Sequence, residues 1–142
     1  MTINEAQSRI VEEFAIFDEW LDKYDYLIEL SSQLPSIDET KRTTQYLIRG
    51  CQSRVWLDAA LCEGRVRFTA DSDAIITKGI VALLIRVLDD RTPQEILDAD
   101  LWFIDRIGLS ENLSPTRSNG LLAMTKQMKM YALAFQAKGE GL

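Results

Sequence analysis

The 142-residue sequence contains no histidine. This absence excludes histidine-activated serine or cysteine nucleophiles, imidazole zinc sites and histidine-based pH switches. Cysteine is scarce too: only Cys51 and Cys62 occur, so one chain cannot complete a Cys-rich zinc site or an iron-sulfur cage. Any metal would have to be oxygen-bound or shared between subunits. In a reducing cytosol we expect both thiols to stay free of a disulfide.

Long apolar runs and an excess of basic residues are also missing. No uncharged stretch exceeds eight residues, whereas a membrane-spanning helix needs roughly 20 apolar residues. Residues 1–5 lack the features of a signal or transit peptide. Sixteen Lys and Arg against 22 Asp and Glu give a net charge of -6, which disfavours a broad nucleic-acid surface. We therefore expect a cytoplasmic protein that binds neither nucleic acid nor membranes.

The composition indicates one globular domain, because 46% of the residues are hydrophobic and 27% are charged. Apolar residues recur at helical spacing over residues 3–17 and 20–34, alternate with a period of two over residues 55–70, and return to helical spacing afterwards. We predict a single α+β domain over residues 1–142. Its small antiparallel sheet of about three strands, including a hairpin near residues 55–71, is expected to be covered by helices.

Local signals predict where several helices begin. Thr2 with Glu5, and Thr92 with Glu95, have the spacing of a capping box. A last helix is expected to begin after Ser114, at a proline. The residues predicted to line the inner side of that helix are Leu121, Met124, Met128, Leu133 and Phe135.

The surroundings of Cys51 are locally basic, because residues 41–67 contain six Lys or Arg and two Asp or Glu. Nearby cations favour thiolate over thiol and so raise the reactive fraction at neutral pH. Gly50 allows a tight backbone turn beside the thiol, since it has no Cβ. On spacing alone, however, a small apolar cysteine packed under a loop is the favoured interpretation. The cations that bracket the cysteine are Lys41, Arg42, Arg49 and Arg54.

Several short motifs together resemble the SufE family of sulfur-acceptor proteins, which includes CsdE-like members. They occur in the family's order and span most of the chain, from about Trp20 to Gly120. The segments that carry the resemblance are Leu27-Ile28-Glu29-Leu30 with Leu34-Pro35, Gly50-Cys51-Gln52-Ser53-Arg54-Val55-Trp56, Asp71-Ser72-Asp73-Ala74 with Lys78-Gly79, Thr92-Pro93, and Leu113-Ser114-Pro115-Thr116-Arg117-Ser118-Asn119-Gly120.

The resemblance implies that Cys51 receives sulfur from the persulfide of a SufS- or CsdA-like cysteine desulfurase and passes it to an iron-sulfur scaffold complex. It implies a persulfide carrier and desulfurase activator, as a monomer or homodimer, and no enzyme with a cofactor or metal of its own. Pyridoxal phosphate belongs to the partner. The implied fold is that of SufE and IscU proteins, with Cys51 on a loop tip, sheltered until docking. A persulfide already contains an electrophilic sulfur, so its acceptor needs no histidine base.

Other positions of the motifs have two interpretations each. Gln52 and Ser53 could hydrogen-bond the thiolate or persulfide, or could only stabilise the turn. Arg117 matches the arginine of the Ser/Thr-Arg motif and could steady the cysteine loop or the thiolate charge, or could be a surface residue at a helix start. For Asp71 and Asp73, capping of the next helix is favoured over a direct part in sulfur transfer, although both could brace the site.

Three residues depart from the motifs or fall outside them. Tyr46 stands where family members often have Asn, so hydrogen bonding beneath the cysteine loop is expected to differ. Cys62 lies on a predicted strand, which suggests a buried, inert thiol and not a resolving cysteine. Trp56 is expected to pack in the core.

Two other classes of function compete with the sulfur carrier. A U-type iron-sulfur scaffold would share the architecture, but it needs several converging metal ligands. A thiol redox sensor would form a reversible disulfide between Cys51 and Cys62 under mild oxidation.

Overall fold

The computed structural model describes residues 1–49 and 53–140. The predicted site residues Gly50, Cys51 and Gln52 lie outside these ranges. The chain forms helices, then one hairpin, then helices again, as predicted for an α+β fold. The elements are α1 (Ile3–Ala15), α2 (Trp20–Ser31), two 3-10 turns (Glu39–Lys41 and Thr44–Tyr46), β1 (Val55–Cys62), β2 (Arg65–Ser72), α3 (Ile75–Leu88), α4 (Pro93–Asp98), α5 (Phe103–Arg106), α6 (Leu109–Asn112) and α7 (Pro115–Glu140).

The hairpin buries one face of its two strands. β1 and β2 pair antiparallel from Val55 opposite Ser72 to Cys62 opposite Arg65. Both residues of the turn between them have positive φ. Glycine is favoured at the second residue of such a turn. Because side chains alternate along a strand, the buried apolar residues fall at every second position, although Leu61, near the turn, is exposed. The buried apolar residues of the sheet are Val55, Leu57, Val66, Phe68 and Ala70.

The prediction of about three strands was wrong: the described residues form two strands and three isolated bridges. Leu47 bridges Trp56, but a 3-10 turn directly precedes it, so the ladder does not extend. Ser36 and Arg91 likewise contribute one bridge each. These segments touch the hairpin and turn away after a single pair.

Helix α3 lies in the middle of the core, and nine of its fourteen residues are buried. It runs beside α2 in the same direction: Gly79 contacts the backbone of Leu27, and one turn on, Leu30 lines a cavity with Leu83 and Arg86. The first turns of both helices therefore lie at the same end of the molecule.

The predicted capping of α3 by aspartates was wrong, because its N-cap residue, Ala74, has no side-chain cap. The Ala74 N–H donates to Ser72 Oγ at 3.2 Å instead. The carboxylates of Asp71 and Asp73 are occupied by other partners, described below.

In the second half of the chain, α4 packs against the long α7, and α5 packs against α1 and α6. The predicted capping boxes at Thr2 and Thr92 are both present. On α7, Leu121, Met124 and Met128 are buried as predicted. Leu133, predicted to point inward, is 56% exposed; Ala132 takes the inward position, one turn after Met128. Over the described ranges, no helix combines the length and apolarity that crossing a bilayer requires.

Candidate functional site

The cysteine of the motif belongs to a short connection, residues 49–54, which we call the thiol loop. Its described residues are Arg49, which is exposed, Ser53, which is half-buried, and Arg54, which is exposed. The contacts of these residues and of their neighbours fix the two described ends of the thiol loop.

The thiol loop starts and ends at one antiparallel pair. The Ile48 N–H donates to the Val55 carbonyl oxygen at 2.8 Å, and Leu47 bridges Trp56. Ile48 and Val55 are both buried, with Val55 fully inside the core. Their apolar side chains anchor both ends of the loop in the interior, where moving either end would cost the burial of a large aliphatic group.

A second clasp holds the end of the thiol loop at the junction of β2 and α3. The Arg54 N–H donates to Asp73 Oδ1 at 3.0 Å, and the Asp73 N–H donates to the Arg54 carbonyl oxygen at 3.2 Å. The Ser72 hydroxyl donates to the same carbonyl at 2.8 Å. Asp73 thus holds the thiol loop and does not cap α3. These contacts reach Arg54 only, so a part for Asp73 in bracing the site stays a prediction.

Asp71 also joins separate segments of the chain near the thiol loop. It is buried, forms an ion pair with Arg42, and lies 3.3 Å from Lys78 Nζ. The Ser72 N–H also donates to Asp71 Oδ1, at 2.8 Å. A buried carboxylate with two cationic partners and a backbone donor ties the segment before the thiol loop to α3.

Only some of the basic side chains that bracket Cys51 in the sequence are without an ion pair to the described residues. Lys41 forms a 2.7 Å ion pair with Asp58, whose hydrogen bond raises the pKa of the Lys41 ammonium. Arg42 is committed to Asp71. Arg49 and Arg54 have no carboxylate within ion-pair distance among residues 1–49 and 53–140. Two of the four cations bracketing Cys51 are therefore without an ion pair to the described residues, and both belong to the thiol loop itself.

Arg117 lies in the first turn of α7 and is exposed. Its N–H donates to Ser114 Oγ at 3.3 Å, and its Nη1 donates to the Tyr24 hydroxyl at 3.3 Å. The described part of the thiol loop makes no hydrogen bond or ion pair with it. Tyr24 lies one turn before Leu27 on α2, so the contact is at the end where α3 begins and Asp73 is found.

A groove that the sequence did not predict runs between residues 45–49 and α7. It has a volume of about 390 Å³. We call it the Arg49 groove, after the residue at which it meets the thiol loop. Tyr131 closes one side by donating its hydroxyl to the Leu57 carbonyl oxygen at 3.0 Å, and burial raises the pKa of that phenol. Its lining residues are Gln45, Tyr46, Leu47, Arg49, Ala123, Lys126, Gln127, Met130 and Tyr131.

Tyr46, which departs from the motif, forms part of this groove. Its ring is half-buried, and the Lys41 ammonium lies 5.8 Å from the ring centroid. An aromatic wall therefore stands where an amide side chain would offer hydrogen bonds. Trp56, opposite Asp71 in the sheet, is half-buried.

Cys62 is exposed, so the prediction of a buried thiol was wrong. It is the last residue of β1, next to the hairpin turn, and its partner in the sheet is Arg65. The alternation that assigned it to a strand face does not reveal that the helices stop short of the hairpin end. Within the part of the chain that the structure describes, no three His, Cys, Asp or Glu side chains converge as metal ligands would.

Comparison with known proteins gives two findings. The family model SufE, described as an Fe-S metabolism associated domain, matches residues 8–132. The fold is similar to the solution structure of a hypothetical protein from Thermus thermophilus, with a TM-score of 0.74 and 21% sequence identity. The alignment covers 91% of this chain and 94% of the other. The structural likeness shows the α+β fold, and the family match covers most of the chain.

Proposed function

Because the chain belongs to the SufE family, the Fe-S metabolism associated domain, we propose that it carries sulfur for iron-sulfur cluster assembly. Cys51 accepts a sulfur atom from the persulfide of a cysteine desulfurase and passes it on to a scaffold complex. The observation that carries the proposal is the thiol loop. The start of the loop is anchored by a hydrogen bond to Val55, and its end is hydrogen-bonded to Asp73. Two arginines without an ion pair to the described residues flank the cysteine in the sequence.

The proposed transfer balances without a cofactor or an oxidant. The Cys51 thiolate attacks the outer sulfur of the donor persulfide. A new S–S bond forms at Cys51, the donor's S–S bond breaks, and the donor cysteine leaves as a thiolate. The proton on the outer sulfur moves with that sulfur. The chain needs a positioned thiolate and no imidazole, which agrees with a sequence without histidine.

Arg49 and Arg54 provide the electrostatic part of this chemistry. Both lie within three residues of Cys51 in the sequence, and neither has a carboxylate partner in the described ranges. A nearby guanidinium that no carboxylate neutralises favours the thiolate over the thiol. The pair therefore supports attack at neutral pH, where an ordinary cysteine is mostly protonated.

The anchors favour control by local movement of the thiol loop. Ile48 and Val55 are held in the core and Arg54 is held by Asp73, so both described ends of the loop are fixed. We propose that the partner's docking presents the thiol, as lids and loops do at other reaction centres. Under this proposal the chain has no small-molecule turnover of its own. It acts in the cytoplasm and stimulates the desulfurase by removing its product.

The redox-sensor alternative meets a geometric obstacle. Cys62 stands seven residues after Val55 on β1, which corresponds to about 23 Å of strand. Four residues of chain, from Val55 back to the motif cysteine, span at most about 14 Å. A disulfide requires Cα atoms within about 7 Å. An intramolecular bond between the two cysteines would thus require β1 to come apart.

Intact-protein mass spectrometry tests the proposal. The chain is mixed with a cysteine desulfurase and free cysteine, and should gain one sulfur atom. Cys51→Ser should gain none, while Cys62→Ser should behave as the wild type. Alkylation of Cys51, in the Cys62→Ser background, should be slow in the free chain and faster with the desulfurase present. Sulfur found on Cys62 and absent from Cys51 would overturn the proposal.

A further inference from the structure

The solvent side of α7 exposes an apolar stripe beside the Arg49 groove. Leu122 is 69% exposed and Met130 is 52% exposed, and Leu133 completes the stripe. Spacings of eight and three residues place all three on one face of a helix. Lys126 lies between them on that face and lines the groove together with Met130. Met130 and Lys126 therefore belong to both groove and stripe, while Leu122 continues the stripe to the other flank of α7, where it lines a second cavity with Ile104 and Asp105.

The groove end of this surface is positively charged in a chain whose net charge is -6. Arg49 and Lys126 are exposed, and neither has a carboxylate within ion-pair distance in the described ranges. The carboxylate of Asp58 does not neutralise them, because Lys41 holds it at 2.7 Å. Residues 1–40, by contrast, contain ten acidic and two basic groups. An acidic partner is therefore attracted to Arg49 and Lys126 and repelled by the acidic side chains of residues 1–40.

We propose that the Arg49 groove and the α7 stripe dock an acidic segment with apolar side chains that belongs to the sulfur-donor desulfurase. The inference rests on the proposed function and adds the surface and the chemistry of recognition. Carboxylates of the segment pair with Arg49 and Lys126, and its apolar side chains cover Met130 and Leu122.

The shape of the surface favours a protein over a small acid. A metabolite could fill the groove of about 390 Å³, but it would leave Leu122 and Leu133, on the helix beyond the groove lining, in water. Apolar side chains exposed in a row beside cationic side chains are typical of protein interfaces with an apolar centre and a polar rim. Arg49 is two residues before Cys51, so a segment docked here lies next to the thiol loop.

Charge reversal on α7 tests the electrostatic half of the proposal. Desulfurase turnover is measured against the concentration of the chain. Lys126→Glu should raise the concentration that gives half-maximal stimulation about tenfold, with the maximal rate unchanged, because the variant leaves the thiol loop intact. Lys138→Glu is the matched control: it makes the same charge change, three turns further along α7 at an exposed position, and should change this concentration less than twofold. Added salt should raise the concentration for the wild type more than for Lys126→Glu.

Removal of apolar surface tests the other half. Met130→Ser should raise the same half-maximal concentration several-fold, whereas Leu61→Ser, at an exposed leucine near the hairpin turn, should not. Circular dichroism shows that each variant is folded. Equal shifts for the groove variants and their controls, or no shift in any variant, would overturn the proposal.

Two further outcomes tell a contact between copies from a failure of the proposed function. A change in sedimentation coefficient of the free chain with Lys126→Glu, at unchanged half-maximal concentration, would make the surface a contact between two copies and would overturn the proposal. Failure of the wild type to acquire sulfur at Cys51 would remove the proposed function itself. Sulfur acceptance by the wild type, with groove variants that behave normally, would remove only the docking surface.

Discussion

Gly79 of α3 lies against the main chain of Leu27 of α2. A Cβ added to Gly79 would be 2.9 Å from the Leu27 carbonyl carbon and closer still to its oxygen. These are backbone atoms, so no side-chain rotation can make room. The contact therefore fixes how close α2 and α3 lie to each other. It also fixes the relative position of Tyr24 and Asp73, which lie at the same end of the molecule.

Gly79→Ala is expected to destabilise the fold by about 1–3 kcal/mol, because the helices must separate to accept a methyl group. Urea unfolding followed by circular dichroism measures the loss. Leu27→Ala should not rescue the variant, since the clash is with the backbone of Leu27. A stabilised Gly79→Ala, as expected for an unobstructed helix position, would show that the two helices are not in contact there.

Asp73→Ala is expected to loosen the thiol loop. It removes the acceptor of the Arg54 N–H and should cost about 1 kcal/mol of stability. In the Cys62→Ser background, Cys51 should then be alkylated several-fold faster than in the parent. The rate of mass gain with iodoacetamide measures this.

Asp73→Asn is the conservative partner of this variant, because an amide oxygen can still accept the hydrogen bond from Arg54. It should react nearly as the parent does. Asp25→Ala, which removes an exposed carboxylate on α2, controls for the loss of one negative charge. If Asn and Ala at position 73 accelerate alkylation equally, charge and not the hydrogen bond controls the loop.

What the sequence predicts well depends on contacts between near neighbours. The Thr2–Glu5 and Thr92–Glu95 boxes are confirmed, because both partners lie within one helical turn. The hairpin is confirmed because its alternation and its turn occur in one continuous segment. The family resemblance is confirmed by the match over residues 8–132.

The candidate site depends on contacts that no local pattern contains. Asp73 reaches Arg54 across 19 residues, and Arg117 reaches Tyr24 across 93. An aspartate just before a helix is usually a cap, so a local interpretation assigns the wrong partner to Asp73. The prediction for Cys62 failed for a related reason. The alternation along a strand shows which face a residue lies on, but it does not show how far helices cover that face. The role of Cys51 itself stays a prediction.

Stability should fall in acid through Glu13. Arg86, and after it Tyr26, hydrogen-bond to this carboxylate and lower the pKa of Glu13 below the usual 4.5. A depressed folded pKa stabilises the fold above the unfolded value, and the contribution is lost as the pH falls below about 4.5 toward the folded pKa. Urea unfolding from pH 6 to pH 3 should show this loss in the wild type.

The matched variants are Glu13→Gln and Glu12→Gln, at neighbouring positions on α1. Glu13→Gln should be less stable than the wild type at pH 6 by about 2 kcal/mol, since it breaks the charged hydrogen bonds that join α1 to α2 and α3. Its stability should also change less between pH 6 and pH 3. Glu12, which is exposed, should give a variant that follows the wild-type curve. Parallel curves for Glu13→Gln and the wild type would contradict the assignment.

Arg117 is expected to act by holding the start of α7 to α2, through its hydrogen bond to the Tyr24 hydroxyl. Arg117→Ala and Tyr24→Phe should then slow the gain of sulfur at Cys51 by the same factor, and the double variant by no more than either. Because the contact is exposed, each variant should change the free energy of unfolding by about 0.5 kcal/mol or less. Arg106→Ala, which removes an arginine stacked 4.6 Å from the Trp102 ring centroid, is the control and should accept sulfur normally. A large defect in Arg117→Ala beside a normal Tyr24→Phe would instead assign the guanidinium a direct interaction with the reacting sulfur.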